Sequence, residues 1–511
     1  MNGAFYRNLS ERSRQSLWFW LFWLLLSWSL GIYGRLDLPP QGIHQGAQCD
    51  RASLAWNFAY TDANILKPHV HETRFGDGTV AGEFPLVPWM ASACYRVFGF
   101  HHFWFRGINW LILSLGVWCA FLITGFFINH LFHRLLLIAL WTLSPILLFY
   151  GPSFLPDTAA LACTMAAWYF LMRWRFQMRR LHLSAGILFL GLAGLLKITF
   201  SAGFVPAALL IFQHLRTHDA GNRKWLLPGV LTLVASLSIL AWYRYATALN
   251  AAYGNVHFLL QAKPAASLHE ARELSVSIVR NWIVQFYRGP YIFALFALGV
   301  ISAFFPKKQD VWHYHTGLWY LLAAIGYFML MQSQFLYHDY YFIFFYVPVF
   351  FVLLQVYQRS IRFSGGMGCA LFLLYLLPLL HYDHTAKALS ERYRPGSYWE
   401  QTITDLNTWQ GADGWLDSLG VPHNEKALLT GYDPAPNNQL YFLQRRGKRF
   451  HSDYSPETVQ GIIIEHKIRW LVLTDPREWD AKYRNDSLFT TETVGSRAYL
   501  QLRRVNIKQQ R

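Results

Sequence analysis

Trp18–Tyr33 reads WFWLFWLLLSWSLGIY, and a few residues later Gly42–Phe58 reads GIHQGAQCDRASLAWNF. The first stretch is apolar almost without a break. The second carries Asp50 beside Arg51 and then turns amphipathic. A helix needs roughly 17–25 apolar residues to cross a bilayer core. The pair therefore reads as a membrane span followed at once by a short polar helix at the membrane surface. The first run is too long for a signal peptide and lacks a small-residue cleavage site, so it reads as retained.

Composition agrees along the whole chain. Of 511 residues, 54% are hydrophobic, 18% aromatic and only 14% charged. Soluble domains carry about 25% charged residues. The apolar runs are continuous rather than alternating, which favours helices over strands. Candidate spans fall near 17–34, 105–128, 135–150, 158–174, 183–197, 200–213, 226–243, 290–305, 315–331, 341–357 and 366–381. The expected fold is an α-helical polytopic membrane protein of about 11 spans. Pro85–Phe100 is apolar but holds Pro85, Pro88 and Arg96, and reads as a surface or re-entrant helix.

The net charge of +16 does not point to nucleic acid. Its Lys and Arg residues sit in short loops between apolar runs, as topology signals do. With the N-terminus in the cytoplasm, Arg134, the Arg173–Arg180 cluster, Arg223 with Lys224, Lys307 with Lys308, and Arg359 with Arg362 all fall inside. Loops 35–104, 151–157, 244–289 and 332–340 then face outward. The cysteines, Cys49, Cys94, Cys119, Cys163 and Cys369, show no metal-ligand spacing, and nothing supports a Cys49–Cys94 disulfide.

Residues 382–511 are polar and rich in turn formers. KALLTG and RWLVLTD read as short buried strands. NQLYFLQRRG and SPETVQGIIIEHKI read as helices, the second capped by Ser455. Alternating strands and helices predict a small extracytoplasmic α/β domain. The chain thus divides into a membrane domain, 1–381, with its first outer loop at 35–104, and a tail domain, 382–511.

Several ionisable residues share the outer side. Asp50, Asp77 and Glu83 lie in the first loop, and Asp157 follows Pro156 in the second. Lys197 ends one span, and His338, Asp339, Tyr340 and Tyr341 begin another. Each has an ordinary reading. Asp50 and Asp157 could be helix N-caps, Glu83 a solvated loop acid, Lys197 a snorkelling lysine, and the tyrosines an interfacial belt. Taken together they place carboxylates, a lysine and a histidine at one membrane surface, where charge is costly and usually functional. Cations there suit a phosphate, and a carboxylate suits proton removal from a hydroxyl.

In this order and spacing the motifs resemble the GT-C superfamily of polyprenyl-phosphate-dependent glycosyltransferases, in the branch of bacterial protein O-mannosyltransferases and aminoarabinose transferases. The resemblance covers roughly residues 17–350. It rests on QCDRASLAWNF, GEFPLVPW, FWFRGINW with Arg106, SPILLFYGPSFLPDTAAL, GLAGLLK and HDYY. It implies Asp50 as catalytic base and Asp157 as the aspartate that organises the site. It implies Arg106 and Lys197 as donor-phosphate contacts, joined by His338 and Tyr340. Glu83 stands where many relatives have a cation, so the substrate chemistry it serves is left open.

The implied activity moves a sugar from a polyprenyl-phosphate donor to an acceptor hydroxyl, with inversion, on the outer side of the cell membrane. The acceptor is a lipid, a glycan or a protein. No cofactor or metal ligand set is read from the residues, and a divalent cation, variable among relatives, stays open. The rival readings are a transporter or a flippase for lipid-linked substrates, and a noncatalytic scaffold. Transporters more often show internal repeats and broken mid-membrane helices, and neither is evident in the sequence.

Overall fold

The computed structural model describes residues 9–508 other than 74–75, 218–222, 256–257, 260–261, 363–367, 401, 403–404, 432–434, 436, 451–453 and 485, and of 289–310 only 293 and 297. By compactness the chain divides into two units. The first comprises Met1–Asp37, Arg106–Arg244 and Leu260–Arg394. The second comprises Leu38–Phe105, Tyr245–Leu259 and Pro395–Arg511. Most of the first outer loop thus clusters with the tail.

The apolar runs are helices. They are α1 (Leu9–Ser29), α4 (His102–Thr124), α5 (Leu131–Thr142), α6 (Pro145–Tyr150), α7 (Asp157–Gln177), α8 (Arg180–Leu196), α9 (Phe204–Thr217) and α10 (Arg223–Ala252). Further along come α12 (Val311–Leu330), α13 (Tyr346–Arg362) and α14 (Gly368–Glu391). Each expected span meets a helix, except 290–305, of which only residues 293 and 297 are described. The span expected at 135–150 is broken in two at Leu143–Ser144, and Pro145 opens α6 at its first position, where a missing N–H costs no helical bond. By length and composition, His102–Thr124, Ile198–Arg216, Leu226–Ala252 and Asp339–Gln358 could each cross a membrane. Leu131–Thr142, Arg180–Leu196 and His315–Leu330 are shorter apolar helices.

Packing shows which faces look outward. On α10, Leu226, Val230, Leu233, Val234, Leu237 and Leu240 are exposed at helical spacing, while Ile239, Trp242 and Ala246 are buried. An exposed leucine and valine stripe of this kind suits lipid. Where helices meet, small residues let backbones approach. A Cβ at Gly116 of α4 would fall 2.4 Å from Ala162 Cα of α7. A long helix in a stretch expected to be loop was not anticipated from the sequence. This is α11 (Leu268–Phe286), in the expected outer loop 244–289. Ser267 accepts from the Glu270 backbone N–H, and Glu270 accepts in return from Ala266 N–H, close to a capping box.

In the second unit, α2 (Gln45–Tyr60) and α3 (Leu86–Phe98) pack on each other. The tail holds a five-stranded sheet of order β2-β1-β3-β5-β4. Strands β1 (Leu428–Thr430), β2 (Lys448–Arg449) and β3 (Trp470–Leu473) are parallel. Strands β4 (Phe489–Arg497) and β5 (Leu500–Ile507) add an antiparallel hairpin that the sequence reading had not identified. Helices α15 (Asn438–Leu443), α16 (Pro456–Glu465) and α17 (Pro476–Tyr483) alternate with the strands. Leu429, Val459, Ile463, Leu471, Leu473, Trp479 and Phe489 form the core. Ser455 caps α16 as expected, accepting from Thr458 N–H.

Candidate functional site

The second unit holds Asp50. Expected at the head of a helix, it lies one turn inside α2, which starts at Gln45. It is therefore no N-cap. Nor is α2 an amphipathic surface helix. Every residue from Ala52 to Phe58 is buried, and Leu54 and Phe58 pack with Val70 and Val80. The polar residues of α2 face protein instead of water, which is why the amphipathic reading failed.

Asp50 keeps 15% of its side chain exposed. One carboxylate oxygen accepts a 2.8 Å bond from the Asn437 side-chain amide. The other lies 3.7 Å from the Arg51 guanidinium. Sequence neighbours on a helix usually diverge, so that approach was not expected. Arg51 bends because its other end is held by Glu83, whose two oxygens lie 2.9 and 3.3 Å from one guanidinium nitrogen. Arg51 thus bridges the two acids. Burial raises the Asp50 pKa above the ordinary carboxylate value. Arg51, the Asn437 amide and Arg449 pull it back in part, and Glu83 adds to the rise. The result is a carboxylate more basic than a surface aspartate.

The first unit holds the rest of the expected set. Asp157 is the first residue of α7, with Pro156 as its N-cap. Its carboxylate pairs with Lys197 at 3.2 Å. Lys197 is the C-cap of α8, in extended conformation. Its ammonium lies 5.3 Å from the Tyr340 ring centre and 5.2 Å from that of Tyr341, within cation–π reach. His338, half-buried, lies against both tyrosines, its ring centre 5.4 Å from Tyr340 and 5.5 Å from Tyr341. Asp157, Lys197, His338 and Tyr340 therefore form one cluster. Arg106 belongs to α4. It is buried, donates 2.8 Å to the Pro152 carbonyl and stacks on Phe154, bracing the loop before α7.

Two features escaped the sequence reading. One is a buried network around Asp339, which accepts from Tyr150 at 2.5 Å and from Arg392 at 2.7 Å. Arg392 also donates to Gln285 at 2.8 Å. It fixes the start of the segment that carries Tyr340 and Tyr341. The other is Asn437. Its only sequence signal is a pair of asparagines before a helix, which ordinarily marks a cap. Among the described residues no group of three or more His, Cys, Asp or Glu is placed to hold a metal ion. Cys49 and Cys94 are not joined in a disulfide.

No family model and no curated protein sequence matches the chain. Solved structures do. ArnT from Cupriavidus metallidurans in the apo state is similar with a TM-score of 0.59 and 14% identity, over 96% of this chain and 98% of that one. The same protein bound to undecaprenyl phosphate gives a TM-score of 0.59 and 13% identity over the same shares. The oligosaccharyltransferase AglB from Archaeoglobus fulgidus, in complex with an inhibitory peptide and a dolichol-phosphate, gives 0.50 and 11%, over 89% of this chain and 69% of that one. Identities this low carry the fold and leave the chemistry to the site. The chain shares the fold of these structures, with apolar helices long enough to cross a membrane and a small α/β tail.

Proposed function

We propose that the protein is a membrane glycosyltransferase that moves a sugar from a polyprenyl phosphate to an acceptor hydroxyl. The observation that carries this reading is the Asp50 carboxylate. It is largely buried, raised in pKa and held by an amide, as a general base for a hydroxyl should be. The likeness to a structure bound to undecaprenyl phosphate supports the donor class.

In this reading Asp50 takes the proton of the acceptor hydroxyl. The oxygen attacks the anomeric carbon, the bond from that carbon to the phosphate oxygen breaks, and the polyprenyl phosphate leaves with the electron pair. One displacement inverts the configuration. Lys197 stabilises the charge that grows on the phosphate. Asp157 orients Lys197, and Tyr340 supplies an aromatic wall beside it. Glu83 keeps Arg51 in place rather than touching the phosphate. The chain resides in the cell membrane with its N-terminus in the cytoplasm and its tail outside. The acceptor is a lipid, glycan or protein.

The test is reconstitution in lipid nanodiscs with sugars linked to polyprenyl phosphate, together with envelope lipids, glycans and peptides. Mass spectrometry of the products should show one sugar added and free polyprenyl phosphate released. Uptake or flipping of the donor with its glycosidic bond intact would replace this reading with the transporter.

A further inference from the structure

We infer that Asn437, from the tail, is a positioning residue for Asp50, so that the tail is part of the catalytic apparatus. The inference rests on the reading of Asp50 as the base.

Asn437 is the N-cap residue of α15, and an asparagine there normally bonds its own helix. Here its side chain makes no cap bond. It is fully buried and spans two other partners. Its Oδ1 accepts from the Glu72 backbone N–H at 2.9 Å. Its Nδ2 donates to Asp50 at 2.8 Å. These bonds fix the amide's orientation, because a backbone N–H requires an acceptor and a carboxylate requires a donor.

Two further contacts bring Asn437 to this place. Residues 71–73 pair with the tail, with Gly447 N–H donating to the His71 carbonyl at 3.0 Å and Thr73 N–H to the Gly447 carbonyl at 2.8 Å. That presents the Glu72 N–H. On α2, Gly46 lies one turn before Asp50 on the same face. A Cβ at Gly46 would fall 2.5 Å from Ala435 Cβ. Only glycine lets the chain before Asn437 come this close.

The charges facing Asp50 are Arg51 from its own helix, Glu83 from the segment before α3, and Arg449 from β2, itself paired with Glu72 at 3.2 Å. Among these groups Asn437 is the neutral donor bonded to the carboxylate. It can hold the carboxylate ready without cancelling its charge, as a direct ion pair would.

The decisive variant is Asn437→Asp. It keeps the shape and the bond from Glu72 N–H, but sets a carboxylate against Asp50. Two carboxylates in contact resist ionising together. The acid limb of kcat/KM for glycosyl transfer should move to higher pH, with the melting temperature close to that of the native protein. Asn437→Ala should move it the same way and lower kcat/KM by roughly 10-fold to 100-fold, the usual weight of a hydrogen bond to a charged group. A merely structural asparagine would leave the acid limb in place. An unmoved limb in well-folded Asn437→Asp, with Asp50→Asn inactive, would overturn this inference alone. If Asn437→Ala melts early, the isosteric Asn437→Asp carries the test. Full transfer by Asp50→Asn would overturn the reading beneath it.

Discussion

Asp339 and Asp50 each face an arginine, the first at 2.7 Å and the second at 3.7 Å. Asp339 and Arg392 are both sealed from solvent, and Tyr150 takes the second oxygen of Asp339. Asp50 is only partly enclosed, and its arginine is shared with Glu83. A carboxylate gripped on both oxygens by a full charge and a hydroxyl is a fixture of the fold. One held by an amide and a divided charge keeps its basicity and can accept a proton. The same residue types, in one fold, are thus sealed in one region and left partly open in another, the setting that the proposed base requires.

The comparison breaks most visibly if Asp339 can be removed without harm. Leaving Arg392 buried and unpaired should cost about 3–5 kcal/mol. Asp339→Ala should therefore yield little folded protein, as judged by detergent-solubilised yield and melting. Replacing both partners, as in Asp339→Leu with Arg392→Met, should recover much of the loss. If the single variant melts like the native protein, Asp339 is no fixture.

Lys197→Met sharpens the comparison from the side of the phosphate. It should lower kcat/KM for the donor by about 10-fold to 100-fold, the weight of a charge-assisted bond, with the protein still inserted and folded. Asp157→Asn should have a smaller effect in the same direction, since it keeps the lysine and loosens its aim. Unchanged kinetics at limiting donor would return Lys197 to a snorkelling role.

The shared arginine makes a signed prediction about pH. The pKa of Asp50 is raised, so transfer should be present above it and fall away as pH drops through it. Arg51→Gln removes the strongest charge opposing that rise, and the acid limb should move to higher pH. Glu83→Gln removes a like charge and frees Arg51 for Asp50, and the limb should move to lower pH. Shifts of the same sign in both variants would contradict the bridge. The smallest effect belongs to the tail, where Ser455→Ala should cost about 1 kcal/mol of local stability and leave turnover unchanged.

The helical membrane architecture was legible because apolar runs long enough to cross a bilayer have few other uses. The Lys197 cluster was legible in part, since Asp157, Lys197 and the HDYY segment are all charged or aromatic residues at span ends. The contacts of Arg106 with the Pro152 carbonyl and the Phe154 ring were not. A buried arginine bracing a carbonyl and one awaiting a phosphate look alike in sequence. The setting of α2 was also hidden. Its pattern LAWNFA has helical periodicity, but its polar residues are buried by tertiary packing, and the start at Gln45 carries no cap signal. Asn437 was the least legible, because the segment that holds it is separated from Asp50 by 387 residues. The hairpin β4–β5 was missed because its faces are mostly polar, and α11 because its capping box lies in a stretch set aside as loop.

The central claim is tested most directly by Asp50→Asn in nanodiscs, assayed for sugar transfer beside its melting curve. The substitution keeps size and shape and removes the base. The account predicts a rate lower by about two to four orders of magnitude, with the melting temperature close to that of the native protein. Near-native transfer by well-folded Asp50→Asn would contradict it.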